Sequence, residues 1–218
     1  MTISGSPGLE SSGVIAVVRL DDLTAAVSIA EALVAGGVSN VEFTFTNPGA
    51  GLAIEEVRRA LGNEAYVGAG TVLDAETARI AILAGAEYIV TPTFKAATVE
   101  ICRRYSVPTI IGAFTATEML TAWEAGADYI KVHPAGMGGP RYFKDILGPL
   151  PQLRLIPSGG VSIENAGDFI RAGAVAVALG SNLVDNATVA SRSWETITDR
   201  AANLTKVVKD ARDGVASS

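Results

Sequence analysis

The sequence predicts an α/β chain folded as a single-domain (β/α)8 barrel, and three observations carry the prediction. A short phrase recurs as Ala35-Gly36-Gly37, Ala84-Gly85-Ala86, Ala125-Gly126-Ala127 and Ala172-Gly173-Ala174, each time after a helix-like stretch and before a strand-like one. Glycine just past a helix takes the left-handed conformation that stops it. Eight short apolar runs, several of them near-continuous, suit a parallel sheet covered on both faces. Strands alternating with helices over about 200 residues fit a barrel at the small end of its size range. An open doubly wound sheet is the alternative, and it usually uses fewer strands.

The elements follow in order. Residues 1–12 read as a flexible tail. Strands are predicted at Val14 to Val18, Asn40 to Phe45, Tyr66 to Ala69, Tyr88 to Thr91, Thr109 to Gly112, Tyr129 to Val132, Leu153 to Pro157 and Val175 to Leu179. Apolar residues at helical spacing predict helices at Leu23 to Val34, Ala75 to Leu83, Thr117 to Glu124 and Ile163 to Arg171. Asp74, Thr115 and Ser162 stand where N-caps belong. Ala135 to Pro140, with three glycines, reads as a mobile loop over a pocket. Ser193 to Arg212 reads as a closing helix and residues 214–218 as a frayed end, leaving 13–213 as the barrel with no second domain.

Composition narrows the function. The 218 residues are 49% hydrophobic, enough for one large core, and the net charge of −6 argues against nucleic acid as a partner. No apolar run reaches the length of a membrane helix, and Met1 to Pro7 lacks the basic start and apolar stretch of a signal peptide. The single Cys102 excludes an internal disulfide and fits a reducing cytoplasm. One histidine and one cysteine make a His/Cys metal site a poor expectation.

Lys131 stands inside Tyr129-Ile130-Lys131-Val132-His133-Pro134, which otherwise reads as a buried strand. Desolvation depresses an amine's pKa and makes it a nucleophile at neutral pH, able to form a Schiff base with a ketone. The competing reading is an amine that reaches the strand end and meets a carboxylate. Barrel sites form at the C-terminal ends of the strands, and those ends are polar and glycine-rich here. They carry Arg19, then Glu42, Thr44 and Thr46, then Thr71, Pro92, Lys131 and His133, and finally Ser158-Gly159-Gly160 and Gly180-Ser181.

Alternation gives Lys131 and His133 one face of their strand and Glu42, Thr44 and Thr46 one face of theirs, and in a barrel both sets can face the lumen. A carboxylate beside a lysine suits proton shuttling around a Schiff base. A buried Glu42–Lys131 salt bridge that only holds the barrel is the plain alternative, and such pairs contribute little stability. The loops after strands seven and eight are the usual phosphate place in this fold, and Ser158 to Ser162 leads into a helix whose N-terminus suits an anion. Gly180-Ser181-Asn182 reads as the lead into a second helix. Cys102 reads as packing, and Arg58-Arg59 and Arg103-Arg104 as solvated helix faces.

The order of these motifs resembles one family from about Val14 to Val184. It is the class I pyruvate-dependent aldolases that cleave 2-keto-3-deoxy-6-phosphogluconate (KDPG) and 4-hydroxy-2-oxoglutarate (KHG). The matching pieces are Val41-Glu42-Phe43-Thr44, Gly68-Ala69-Gly70-Thr71-Val72-Leu73, Thr91-Pro92, Lys131 followed by Pro134, Pro157-Ser158-Gly159-Gly160-Val161, and Gly180-Ser181. The resemblance implies that Lys131 is the Schiff-base lysine and Glu42 the acid/base. It implies that Thr71 helps to hold the pyruvate carboxylate, and that Ser158 to Gly160 and Gly180-Ser181 hold the distal phosphate. It also implies a metal-free, cofactor-free homotrimer that releases pyruvate from a phosphorylated keto-acid of the gluconate or galactonate series.

Three departures stand out. Thr46 occupies the position of a common carboxylate-gripping arginine, as in the galactonate branch. Arg19 is either its replacement or a surface cation. His133 stands where an aromatic is usual, either as a polar contact or as a flat packing surface, and Thr93 stands where a glycine often follows the proline. A phosphate-binding barrel isomerase or epimerase without a Schiff base remains the second reading, and a non-catalytic phospho-ligand binder the third.

Overall fold

Eight short strands whose side chains are almost all buried line up in parallel as β1 (Val14–Val18), β2 (Asn40–Thr44), β3 (Tyr66–Gly70), β4 (Tyr88–Val90), β5 (Thr109–Ala113), β6 (Tyr129–Val132), β7 (Leu155–Pro157) and β8 (Val177–Leu179). The structure is a computed structural model and describes residues 7–216. Strand order is β7-β6-β5-β4-β3-β2-β1-β8, and a parallel bridge between Ser158 and Ala178 joins the two ends into a barrel. Around it lie α1 (Pro7–Ser12), α2 (Ala26–Ala35), α3 (Ala50–Leu61), α4 (Ala75–Leu83), α5 (Ala96–Arg104), α6 (Ala116–Glu124), α7 (Gly139–Leu147), α8 (Ile163–Arg171), α9 (Asn186–Ala190) and α10 (Trp194–Ala216).

Local chemistry explains the boundaries. Asp74 accepts the Thr77 N–H at 2.7 Å to start α4, and Thr115 and Glu118 cap α6 reciprocally. The four Ala-Gly phrases end their helices at Gly37, Gly85, Gly126 and Gly173, with φ of 87°, 95°, 96° and 100°. Only glycine takes that conformation without strain, so the repeat marks the chain's return to the barrel.

Strand alternation sorts the core into two parts. One side faces the helices. The other fills the lumen, where Ile15, Val17, Tyr88, Val90, Ile110, Tyr129, Ile156 and Ala178 pack together. The lumen floor is closed by α1, whose Leu9 is fully buried among these residues. Glu10 pairs with Arg154, which also donates to the Tyr129 hydroxyl at 2.9 Å, and Arg212 donates to the Glu10 carbonyl at 2.7 Å.

Four expectations need correction. Of the predicted N-terminal tail, residues 7–12 form this sealing helix, because Leu9 buries a full side chain under the barrel; residues 1–6 lie outside the described residues. The predicted frayed end is helical as far as Ala216, and residues 217–218 lie outside the described residues. The glycine-rich loop from Ala135 is a 3-10 turn over Ala135–Met137 followed by α7. It does not cover a pocket: Ala135 and Gly136 donate to the carbonyls of Ser158 and Gly159 at 2.9 and 2.8 Å. Finally, no helix follows Gly180 directly. Leu183 and Val184 donate back to the Gly180 carbonyl as a turn, and α9 begins six residues later at Asn186.

Candidate active site

Lys131 and Glu42 reach the lumen from strands on different parts of the barrel wall. Their side chains are 5% and 1% exposed, and Lys131 Nζ lies 4.0 Å from Glu42 Oε1. That distance is beyond a hydrogen bond. Glu42 Oε1 has no hydrogen-bond partner among the described residues. A pair built to hold the barrel would be hydrogen-bonded, since two desolvated charges otherwise cost more than their attraction returns. The spacing instead leaves the amine and the carboxylate open to a third group.

The place of Glu42 is set by the neighbouring strand. β2 and β3 pair with Glu42 beside Gly68 and Thr44 beside Gly70. A Cβ on Gly70 would stand 1.8 Å from Glu42 Oε1. The carboxylate therefore occupies the volume that any other residue at 70 would fill. Burial pushes the Glu42 carboxyl up, while Lys131 and Arg19 pull it down. A carboxyl raised in this way can both take and return a proton at moderate pH.

Above the pair opens a cavity of about 240 Å³. Of the residues singled out in the sequence, Arg19, Lys131, His133, Ser158, Gly159, Gly160, Gly180 and Ser181 line it. Val17, Val161, Ala178 and Asn182 complete the wall. The first three are apolar lumen or loop residues with no distinguishing signal in one sequence. Asn182 follows Gly180-Ser181 directly, and its amide donates to the Val161 carbonyl at 3.0 Å, tying the two candidate phosphate loops together. Gly159 and Gly160 hold φ of 76° and 82°, a conformation that turns successive backbone groups toward one concavity.

Three predicted binding residues do not line this cavity. Thr44 is buried, and its hydroxyl bonds that of Thr46 at 2.9 Å. Pro92 stands behind Gly112, whose N–H donates to the Thr91 hydroxyl at 3.1 Å. This ties β4 to β5 next to Lys131, which is in register with Gly112. Thr71 lies beside the cavity: Arg19 donates to its hydroxyl at 3.4 Å. Thr71 also carries a φ of 55°, a strained state for a β-branched residue and one that clusters at functional sites. No group of three or more metal-ligating side chains occurs among the described residues.

Comparison with known proteins agrees with this geometry. The family model for KDPG and KHG aldolases matches residues 7–200. A 2-dehydro-3-deoxy-phosphogluconate aldolase from Treponema pallidum is 33% identical over 92% of this chain and 95% of its own. A solved native KDPGal structure superposes with a TM-score of 0.86 at 31% identity, over 92% of this chain and 96% of that one. A KDPG aldolase from Legionella pneumophila, with pyruvate captured as a covalent carbinolamine, superposes at 0.83 with 26% identity, over 91% and 98%.

Proposed function

The chain belongs to the KDPG and KHG aldolase family, and from that premise we propose how its residues carry out the reaction. It is a lyase that forms a Schiff base and reversibly cleaves a 2-keto-3-deoxy-6-phospho sugar acid to pyruvate and glyceraldehyde 3-phosphate. Lys131 Nζ attacks the C2 ketone, and loss of water from the carbinolamine gives an iminium. Glu42 takes the proton of the C4 hydroxyl as the C3–C4 bond breaks. The electron pair passes into the iminium to give an enamine, and the aldehyde leaves. Glu42 then returns its proton to C3, and water releases pyruvate. The isomerase reading is set aside, because family membership brings Schiff-base chemistry with it.

The observation that carries these roles is the 4.0 Å gap between a buried amine and a buried carboxylate with no hydrogen bond between them. Arg19 supplies positive charge to the cavity, and Arg19 and Thr71 are assigned to the substrate carboxylate. The loops at Ser158 to Gly160 and Gly180-Ser181 are assigned to the phosphate, supported by the positive φ of both glycines after Ser158. No role is assigned to Thr44 or Pro92.

We assign a homotrimer on the same reading. Ile80 and Leu83 of α4, Leu73 just before it and Leu52 of the neighbouring α3 are between 52% and 67% exposed, apolar surface that a second copy would cover. No helix among the described residues is long and apolar enough to cross a membrane, and a cytoplasmic place rests on the single reduced cysteine.

Borohydride reduction with pyruvate, followed by peptide mass mapping, tests the chemistry. A reduced pyruvyl adduct on Lys131 is expected, and Lys131→Ala is expected to abolish both adduct and pyruvate release. Retained pyruvate release in that variant would sink the mechanism.

A further inference from the structure

We propose that His133 sets the class of aldehyde: its Nε2 accepts a hydrogen bond from the C5 hydroxyl of the sugar acid, so the aldehyde half must carry a hydroxyl beside its carbonyl carbon. The inference rests on the aldolase reading above and adds a specificity element to it.

The tautomer is fixed by a neighbour that can only accept. His133 Nδ1 lies 3.2 Å from the carbonyl oxygen of Ser158. A carbonyl has no proton to give, so Nδ1 carries the hydrogen, and in the neutral ring Nε2 is left as an acceptor. No other hydrogen bond of the ring occurs among the described residues. The ring lies flat on the loop: a Cβ on Gly159 would stand 2.9 Å from both Nδ1 and Cε1. Nothing but glycine at 159 admits the imidazole there. Burial, with Lys131 and Arg19 nearby, holds the ring's pKa below its ordinary value, against the opposing Ser158 hydrogen bond. The ring is therefore neutral at pH 7.

The position matches one substrate atom. Lys131 and His133 stand two residues apart on one strand face, about 7 Å along it. Lys131 fixes C2 of the substrate at one end of the cavity, and the Gly159-Gly160 loop takes the phosphate on C6 at the other. His133 lines the same cavity, two residues beyond Lys131 in the chain and in contact with that loop. The C4 hydroxyl is engaged by Glu42 below. The hydroxyl that remains, one carbon from the phosphate-bearing carbon, is that of C5. Arg19 and Lys131 have only donors to offer it. Where the resembling family has an aromatic ring, this chain has a ring of similar shape with a directed acceptor.

The test uses aldol addition of pyruvate to two aldehydes, glyceraldehyde 3-phosphate and its analogue without the 2-hydroxyl, 3-oxopropyl phosphate. The wild-type enzyme is expected to favour the first in kcat/KM by about tenfold, the size of one neutral hydrogen bond. His133→Phe keeps the ring and removes the acceptor, and it is expected to bring the ratio close to one. His133→Gln, which restores a side-chain acceptor, is expected to recover part of it. A wild-type ratio near one overturns the proposal without any variant, and so does a ratio unchanged in His133→Phe. Failure of the underlying reading looks different: neither aldehyde reacts, and no borohydride adduct forms on Lys131, which overturns both.

Discussion

Gly70→Ala is the substitution that most directly asks whether the position of Glu42 matters. The new Cβ would stand 1.8 Å from Glu42 Oε1 and 2.5 Å from Cδ, whereas ordinary contact begins at 3.4 Å. The carboxylate must therefore retreat by about 1.6 Å, the difference between 3.4 and 1.8 Å. Gly70 is absent from the positive-φ glycines, so alanine fits its backbone and the effect is steric. A misplacement of about 1 Å at a reacting group costs on the order of a hundredfold in rate. A fall in kcat of about 10²-fold or more is expected, read as pyruvate release coupled to NADH oxidation. Overpacking of a closed core costs about 1–3 kcal/mol, a fall in Tm of about 2–12 °C for a chain of this size. The double variant Gly70→Ala/Glu42→Ala separates the two effects. Removing the carboxylate removes the clash, so Tm recovers while turnover does not, and the two substitutions are strongly non-additive in stability. Lys131 is untouched, so borohydride trapping with pyruvate persists in every variant. Turnover of Gly70→Ala within threefold of wild type would refute the reasoning, because Glu42 would then act from no particular place.

Two further predictions concern stability. Asp185 caps α9, and the Thr188 hydroxyl and N–H, together with Arg200, hold its carboxyl well below the usual range. A depressed carboxyl contributes stability that is fully present above its unfolded pKa, about 3.9, and is lost as pH falls through the folded value. Asp185→Ala is expected to cost about 1–2 kcal/mol in urea melts at pH 7 and markedly less at pH 3; an equal loss at both would show that the charge is irrelevant. Tyr88 buries a hydroxyl with no partner among the described residues, beneath its stack on Tyr66 at 5.2 Å. Tyr88→Phe keeps the stack and removes the unpaired group, so Tm is expected to rise by about 2–4 °C, corresponding to about 1 kcal/mol. A fall of that size would mean that the hydroxyl is bonded in solution.

What could be read from the sequence was whatever is unusual for its surroundings. Lys131 and Glu42 are charges inside apolar runs, and the Ala-Gly phrases repeat, so the barrel and the buried pair both show in one chain. Strand ends shifted by a residue or two; β7 starts at Leu155 instead of Leu153 and β8 at Val177 instead of Val175. The lumen floor could not be read, because Leu9 is a single apolar residue in a polar stretch and its burial depends on a barrel formed later in the chain. Helix α7 was hidden by its Gly-Pro start, which reads equally as a loop, although proline suits a first helical turn. Thr44 and Pro92 were placed at the site because they end the right strands. Chain position names the rim of the barrel, while side-chain direction decides which rim residues face the cavity. The reason for Gly70 is a carboxylate on the neighbouring strand, a relation between strands that no local pattern carries.

The site also answers a difficulty set by the whole molecule. A net charge of −6 repels a substrate that bears both a carboxylate and a phosphate. At physiological ionic strength that repulsion fades over about 8 Å, so capture is decided by charges inside the cavity. Arg19 lines it beside Lys131, and Glu42 stands 4.0 Å from the amine without lining the cavity. Burial pushes Glu42 toward its neutral form, which lessens its opposition to an incoming anion. On the proposed roles, the iminium would place a fixed positive charge on Lys131 while the bond lasts and favour the ionised form of Glu42. On those roles the carboxylate would be the stronger electrostatic partner at the step where a base is required, and the 4.0 Å spacing would leave room for the substrate hydroxyl.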